Sequence, residues 1–167
     1  QAGSSRVLKA MNRGYSREEY LAKVRAVKEA VPGIVLTSDI IVGFPGETEE
    51  EFEETLTLLE EVGFDALFTF LFSPREGTPA AGLEDPVSHR DKVKRFERLT
   101  ALQDKISAEK HAAYVGKTVR VLVDGVAGDG KHDLTGRTPG NRLVHLFGDR
   151  DAVGQYRAAK ITGATTW

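Results

Sequence analysis

Residues 37–74 read TSDIIVGFPGETEEEFEETLTLLEEVGFDALFTFLFSP, and this stretch decides the fold. Its first six residues, with Ile34, Val35 and Leu36 before them, make a nearly unbroken β-branched run. Such a run marks a parallel strand covered on both faces. Gly43, Pro45 and Gly46 then interrupt it. Thr48 follows as a helix N-cap, with Glu51 at the capping-box position. Phe52, Leu56 and Leu59 recur at helical spacing as far as Gly63. DALFTFLFSP, residues 65–74, is a second buried strand. Strand, short turn, helix and strand together spell a βαβ unit.

Working outward, residues 5–12 predict a short helix with Val7, Leu8 and Met11 on one face. Ser16 and Glu19 form a second capping box, opening a helix to Ala30 that Pro32 and Gly33 end. Two strands do not make a stable sheet of this kind. Gln1 is not a start methionine, so the chain reads as a fragment whose missing strands precede it. Residues 76–87 are a Gly- and Pro-rich loop. From Ser88 to about Tyr114 runs a long polar helix with Val93, Phe96, Leu99, Leu102 and Ile106 as its apolar stripe. The pattern then changes. KTVRVLVDGV (117–126) alternates as a strand, LTGRTPGNRLVHLFG (134–148) holds two short strands around a turn, and GQYRAAKITGATTW (154–167) reads as a further pair. Short strands at this spacing predict a small antiparallel barrel. The expected division is 1–114 and 115–167.

The chain has 167 residues, 29% of them charged, with a net charge of −2. The balance is uneven. Residues 1–116 carry 15 basic and 20 acidic residues, and residues 117–167 carry 8 basic and 5 acidic. A mildly basic tail module follows an acidic body. The absence of cysteine excludes disulfides, thiolate metal sites and a Cys nucleophile within the chain. No apolar run reaches the length of a membrane span, and no signal peptide opens the sequence.

In open α/β sheets, ligands gather outside the carboxyl ends of the strands. Gly43 and Gly46 would let a flat group lie close to the backbone there. Ile41 and Phe44 would give a base apolar contact, and Asp39 would accept from hydroxyls or an amine. The alternative is an ordinary turn into a helix. In the tail, Arg120, Lys131, Arg137, Arg142 and Lys160 are interleaved with Asn141, His145, Phe147 and Tyr156. This suits phosphate contact and base stacking, or else a solvated surface. The GRTPGNR turn sets Arg137 and Arg142 around a tight bend as a candidate phosphate clamp. His89, His111, His132 and His145 show no metal-ligand spacing. No metal site and no catalytic residue is assigned.

Three segments, LKAMNRGYSREEYL, TSDIIVGFPGETEEEFEETL and FDALFTFLFSPREGTPAA, resemble the second half of the barrel of radical S-adenosylmethionine methylthiotransferases. The tail, YVGKTVRVLVDG to TGATTW, resembles their TRAM module. TGRTPGNRLVHLFG resembles the MiaB type, which methylthiolates N6-isopentenyladenosine beside the tRNA anticodon. The resemblance implies an α/β partial (β/α) barrel of the radical SAM type, followed by a small antiparallel, OB-like β-barrel. It implies S-adenosylmethionine and [4Fe–4S] clusters as cofactors, with every cluster ligand outside this chain. Gln1 and Ser4 would touch the cofactor from the preceding strand. Arg13 would pair with its carboxylate, or else serve as a cation at a helix C-terminus. The segment with Asp39, Ile41, Gly43 and Phe44 would support the adenosyl group. Ser73 and Arg75 would face the substrate, and Arg120, Lys131, Arg137, Asn141, Arg142 and Lys160 would meet RNA. The implied partners are tRNA and the missing N-terminal part of the same protein, for a cytoplasmic monomer without membrane contact. This piece alone would be inactive. Sibling readings are enzymes acting on threonylcarbamoyladenosine or on a ribosomal protein, and the rival class is a stand-alone RNA-binding module.

Overall fold

The two long helices that open the first half begin where a side chain takes up free N–H groups. In the computed structural model, which describes residues 1–166, α1 spans Ser5–Ala10, α2 Arg17–Ala30 and α3 Glu49–Val62. Both capping boxes close in both directions: Ser16 with Glu19 and Thr48 with Glu51. Strands β1 (Thr37–Val42) and β2 (Ala66–Leu71) pair in parallel, with α3 as the crossover. A 3₁₀ turn at Pro79–Gly82 precedes α4, His89–Ala112.

The chain forms two compact units, the first ending at Ser107 and the second beginning at Ala108. In the first unit, Leu21, Val24, Ile40, Val42, Phe52, Leu58, Leu59, Val62, Phe64 and Leu99 make the main core. Ala2, Val7, Leu8 and Phe44 make a smaller one, joined by Met11, Tyr15, Phe72 and Ala80.

Three expectations need correction. Both strands read as covered on two faces, but β1 buries only Ile40 and Val42 while Thr37 and Asp39 are exposed. Phe68 and Phe70 of β2 are exposed as well. The buried face of α4 is Lys92, Arg95, Leu99, Gln103 and Ser107. The expected stripe shares only Leu99 with it; Phe96, Leu102 and Ile106 pack at its flank, partly buried. Polar side chains occupy that face because loops from the rest of the unit bring them partners. Gln103 Nε2 donates to the Phe64 carbonyl at 3.0 Å and to Ser107 Oγ at 2.9 Å.

The second unit is a four-stranded antiparallel sheet of order β5-β4-β3-β6, with β3 Thr118–Val126, β4 Leu134–Arg137, β5 Leu143–Leu146 and β6 Tyr156–Lys160. It is an open sheet, not a closed barrel: β5 pairs only with β4 and β6 only with β3. Four-residue strands leave too short a ladder to wrap round and meet. The last segment supplies one strand, β6, among the described residues, and Trp167, the end of the expected pair, lies outside them. Val123, Leu134 and Ala152 form the core beneath, with Leu146 against them. No helix of the described residues is long and apolar enough to cross a membrane.

Candidate functional site

In a parallel pair, residues in register point to the same side. Thr37, Asp39 and Ile41 lie beside Ala66, Phe68 and Phe70. This face of the sheet is the exposed one; the other carries Ile40 and Val42 into the core. A carboxylate therefore stands among three large apolar side chains on an open surface. Phe68 is 61% and Phe70 53% exposed. The sequence alone predicts both as core residues, because alternation is hidden in a run where nearly every position is apolar.

Gln1 joins this face from beside β1. Its backbone carbonyl accepts from the Ile41 N–H at 2.9 Å, and its side chain accepts from the Tyr15 hydroxyl at 2.7 Å. Arg13 is exposed just after α1, its N–H donating to the Leu8 carbonyl at 2.8 Å. Asn12 before it has a φ of 59°. Ser73 and Arg75 are exposed in the loop after β2, where the Arg75 carbonyl receives the Thr78 N–H at 3.1 Å.

Ser4, Gly43 and Phe44 do not share the open face. Ser4 is 3% exposed at the N-terminal end of α1, its hydroxyl directed at Glu51 at 3.5 Å. Phe44 is 4% exposed, edge-on to Phe72 at 5.2 Å within the smaller core. Gly43 has a φ of +75°, a left-handed conformation that side chains resist. A Cβ built on it would lie 2.6 Å from Cδ of Lys92. What comes close to the end of β1 in this structure is the stem of that lysine. Its ammonium pairs with Asp85 and lies 5.7 Å from the Phe72 ring centre.

The loop after Gly43 is closed from within. Glu47, 1% exposed, accepts from the Gly43 N–H at 2.9 Å and donates its own N–H to the Phe44 carbonyl at 2.9 Å. Arg95 reaches it from α4: Nη1 lies 2.8 Å from the Glu47 carbonyl and 3.5 Å from its carboxylate, and Nε donates to Glu49 at 2.9 Å. Burial raises the Glu47 carboxyl above the usual range, against the pull of the Gly43 N–H and Arg95. Glu51 is held below that range, chiefly by its hydrogen bond from Arg6. Of Arg6, Glu47, Glu49, Glu51 and Arg95, only Glu51 is legible from sequence, as a cap.

In the second unit, register again sorts the candidates. Leu143, Arg137, Leu122 and Tyr156 form one row across the four strands, all exposed. Arg120 faces Ala158 in the next row but one along β3, and Lys160 faces Thr118 beyond. Arg120 stacks on Tyr156, its guanidinium carbon 3.7 Å from the ring centre. Arg120, Arg137 and Lys160 thus share one solvent face with an aromatic ring. The clamp expected of Arg137 and Arg142 takes another form. Arg137 Nε donates to Asp124 at 3.3 Å, and Arg142 lies over the Tyr114 ring at 5.2 Å. Asn141 turns the loop between them with a φ of 61°. Lys131 is exposed in the loop between β3 and β4.

Known proteins resemble both parts of the chain. Residues 1–59 match the Radical SAM superfamily, and residues 112–167 match the TRAM domain. Over all 167 residues the chain is 53% identical to the tRNA-2-methylthio-N(6)-dimethylallyladenosine synthase of Anoxybacillus flavithermus. It is 52% identical, again over its whole length, to proteins of the same name from Bacillus thuringiensis and Bacillus anthracis. The match takes in 32% of the first and 33% of the other two, so the chain spans about a third of the length of these curated relatives. The first 59 residues are thus similar to the radical SAM superfamily, the last 56 to the TRAM domain, and likeness to those synthases runs through every residue between.

Proposed function

We propose that this chain is part of a tRNA methylthiotransferase that adds a methylthio group at C2 of N6-isopentenyladenosine beside the anticodon. The observation that carries the reading is the unbroken 52–53% identity to synthases named for that product. Residues 1–114 supply the second half of the radical SAM barrel, and residues 115–167 supply the RNA-facing module. The exposed face of β1 and β2 then lines the barrel interior. Its exposed apolar side chains, Phe68 and Phe70 among them, suit a face that is covered in the whole protein.

The open face fits the adenosyl part of S-adenosylmethionine. Asp39 would accept from a hydroxyl or amine, Ile41 and Phe70 would pack against the base, and Gln1 would fix the neighbouring edge. Arg13 would meet the carboxylate with its guanidinium fork. Ser4, Gly43 and Phe44 would act from behind, by holding the end of β1 in place. Ser73 and Arg75 stand after β2 on the side where substrate would enter. The cofactor, when bound, supplies the hydrogen-abstracting chemistry at the base. The [4Fe–4S] clusters of such enzymes are held by thiolates; this chain has no cysteine, so its residues do not fit a cluster and none is assigned to one.

The test is an exchange. The matching third of the Anoxybacillus synthase is replaced by these 167 residues, and tRNA from cells that depend on the chimera is digested to nucleosides. Retention of the 2-methylthio-N6-isopentenyl nucleoside is expected. An unmethylthiolated product from a well-expressed chimera would refute the reading.

RNA binding rests on the face shared by Arg120, Arg137 and Lys160. Each phosphate contact contributes roughly 0.7–0.9 to the log–log salt slope. Replacing all three with Ala in the 167-residue chain should cut the slope for tRNA by about 2–3 units. Filter binding at several salt concentrations reads it. An unchanged slope would move the RNA contact to Lys131, Asn141 and Arg142 in the loops, or away from this unit.

A further inference from the structure

Asp129, His132 and His145 bring a carboxylate oxygen and two ring nitrogens within 4.8 Å of one another in the second unit. The β4–β5 hairpin makes this meeting. His145 lies in β5 opposite Thr135, and β4 begins directly after the loop that carries Asp129 and His132. The carboxylate is oriented. Oδ1 accepts from the backbone N–H groups of Lys131 and His132, both at 2.9 Å. Oδ2 is left to face the rings, 2.7 Å from Nδ1 of His132 and 3.2 Å from Nδ1 of His145. The two rings are 5.3 Å apart between centres, and Phe147 lies 5.1 Å from His132. The backbone N–H and the ring of His132 hold the Asp129 carboxyl well below its usual range.

We propose that Asp129, His132 and His145 form a binding site for a divalent transition-metal ion of the zinc class. Two imidazole nitrogens and one carboxylate oxygen are a donor set that zinc and its neighbours accept, and that magnesium and calcium do not prefer. Metal–ligand bonds of about 2.0–2.2 Å set tetrahedral donors roughly 3.3 Å apart. From 2.7 Å at His132 and 3.2 Å at His145, the Oδ2 distances reach that spacing after shifts of about 0.6 Å and 0.1 Å. The hydrogen bonds to Oδ1 act as the outer shell that fixes a ligating carboxylate. The side chains are about a third exposed, so water completes the coordination. Protons balance as follows. A neutral ring now pointing its Nδ1–H at Oδ2 binds metal as the Nε2–H tautomer, by exchange with solvent; a protonated ring releases one proton. Metal binding therefore competes with protons for the ring nitrogens and weakens as the pH falls. Bound metal would turn a negative loop corner positive beside the face that carries Arg137.

The test uses the untagged 167-residue chain. Zinc is titrated by calorimetry at neutral pH and cobalt by absorption. One equivalent is expected. His145→Ala and Asp129→Asn should each weaken binding by at least the 10–100-fold that an outer-shell partner is worth, while His89→Ala should leave it unchanged. Histidine NMR on the unsubstituted chain keeps the test independent of variant folding: added zinc should shift two ring signals and spare those of His89 and His111. Absence of zinc binding, equal binding in His145→Ala, or shifts at His89 or His111 instead would overturn the site.

Discussion

Arg95→Met should destabilise the first unit by about 3–5 kcal/mol at pH 8, the cost of stranding one partner of a buried ion pair. Arg95 is 7% exposed and Glu47 1%. Methionine keeps most of the stem's packing, including that near Phe52, whose ring centre lies 5.8 Å from the guanidinium. What it removes are the bonds to the Glu47 carbonyl, its carboxylate and Glu49. Glu49 retains Arg98, whereas Glu47 retains the Gly43 N–H and the weaker attraction of Arg6. The pH dependence gives the mechanism away. The Glu47 carboxyl is already raised by burial, and Arg95 is one of the groups pulling it down. Removing Arg95 raises it further. A carboxyl raised on folding favours the fold in its protonated form, below the unfolded value, and loses that contribution as pH rises through the folded one. The cost of Arg95→Met should therefore be full at pH 8 and shrink steadily towards pH 5. In a Glu47→Gln background, where the side chain still accepts from Gly43 but carries no charge, the cost should drop by half or more. Urea denaturation followed by circular dichroism measures all four proteins. A cost equal at both pH values and in both backgrounds would mean that Arg95 contributes packing alone.

That pair also shows where sequence legibility ends. Helix starts are local: Ser16 with Glu19 and Thr48 with Glu51 announce themselves within four residues, and both form as read. The βαβ order is local too, since strand, cap and helix lie end to end. The buried face of α4 is not. Its polar members are buried because Glu47, Phe64 and Asp65 come from 39 to 48 positions away. No helical period records that. An amphipathic reading selects the apolar side and misses Arg95 and Gln103. The open face of β1 and β2 was hidden for the opposite reason. A run apolar at nearly every position has no phase, so Phe68 and Phe70 could not be told from Leu67 and Leu71. Asp39 and Ile41 were legible because a carboxylate in such a run is out of place. In the second unit, the cations were legible and their grouping was not. Pairing register puts Arg120, Arg137 and Lys160 on one side, and sends Arg142 to Tyr114 instead.

Gly3→Ala should cost about 3 kcal/mol, the upper end of what a single overpacked contact costs. QAGSS offers no local reason for a glycine. The reason is α3: a Cβ at Gly3 would stand 2.2 Å from the Glu54 carbonyl oxygen, and 2.4 Å from the Glu54 carbonyl carbon and from Thr55 Cα. All three are backbone atoms of a helix, so no rotamer change relieves the clash. The segment itself must lift. That would break the bond from the Gly3 N–H to Thr55 Oγ1 at 2.8 Å, and the one from Arg17 to the Gly3 carbonyl at 3.3 Å. It would also draw Ala2, 3% exposed, out of the cluster with Val7, Leu8 and Phe44. Two controls separate these contributions. Thr55→Val deletes the hydroxyl and keeps the space, and should cost about 1 kcal/mol. Gly14→Ala places a methyl where nothing lies within 4 Å, and should stay within about 0.5 kcal/mol of the original. Thermal or urea unfolding of the three variants gives the ranking. If Gly3→Ala matched Gly14→Ala, residues 1–4 would not be packed on α3, and Gln1 would lose its place beside Ile41 on the proposed cofactor face.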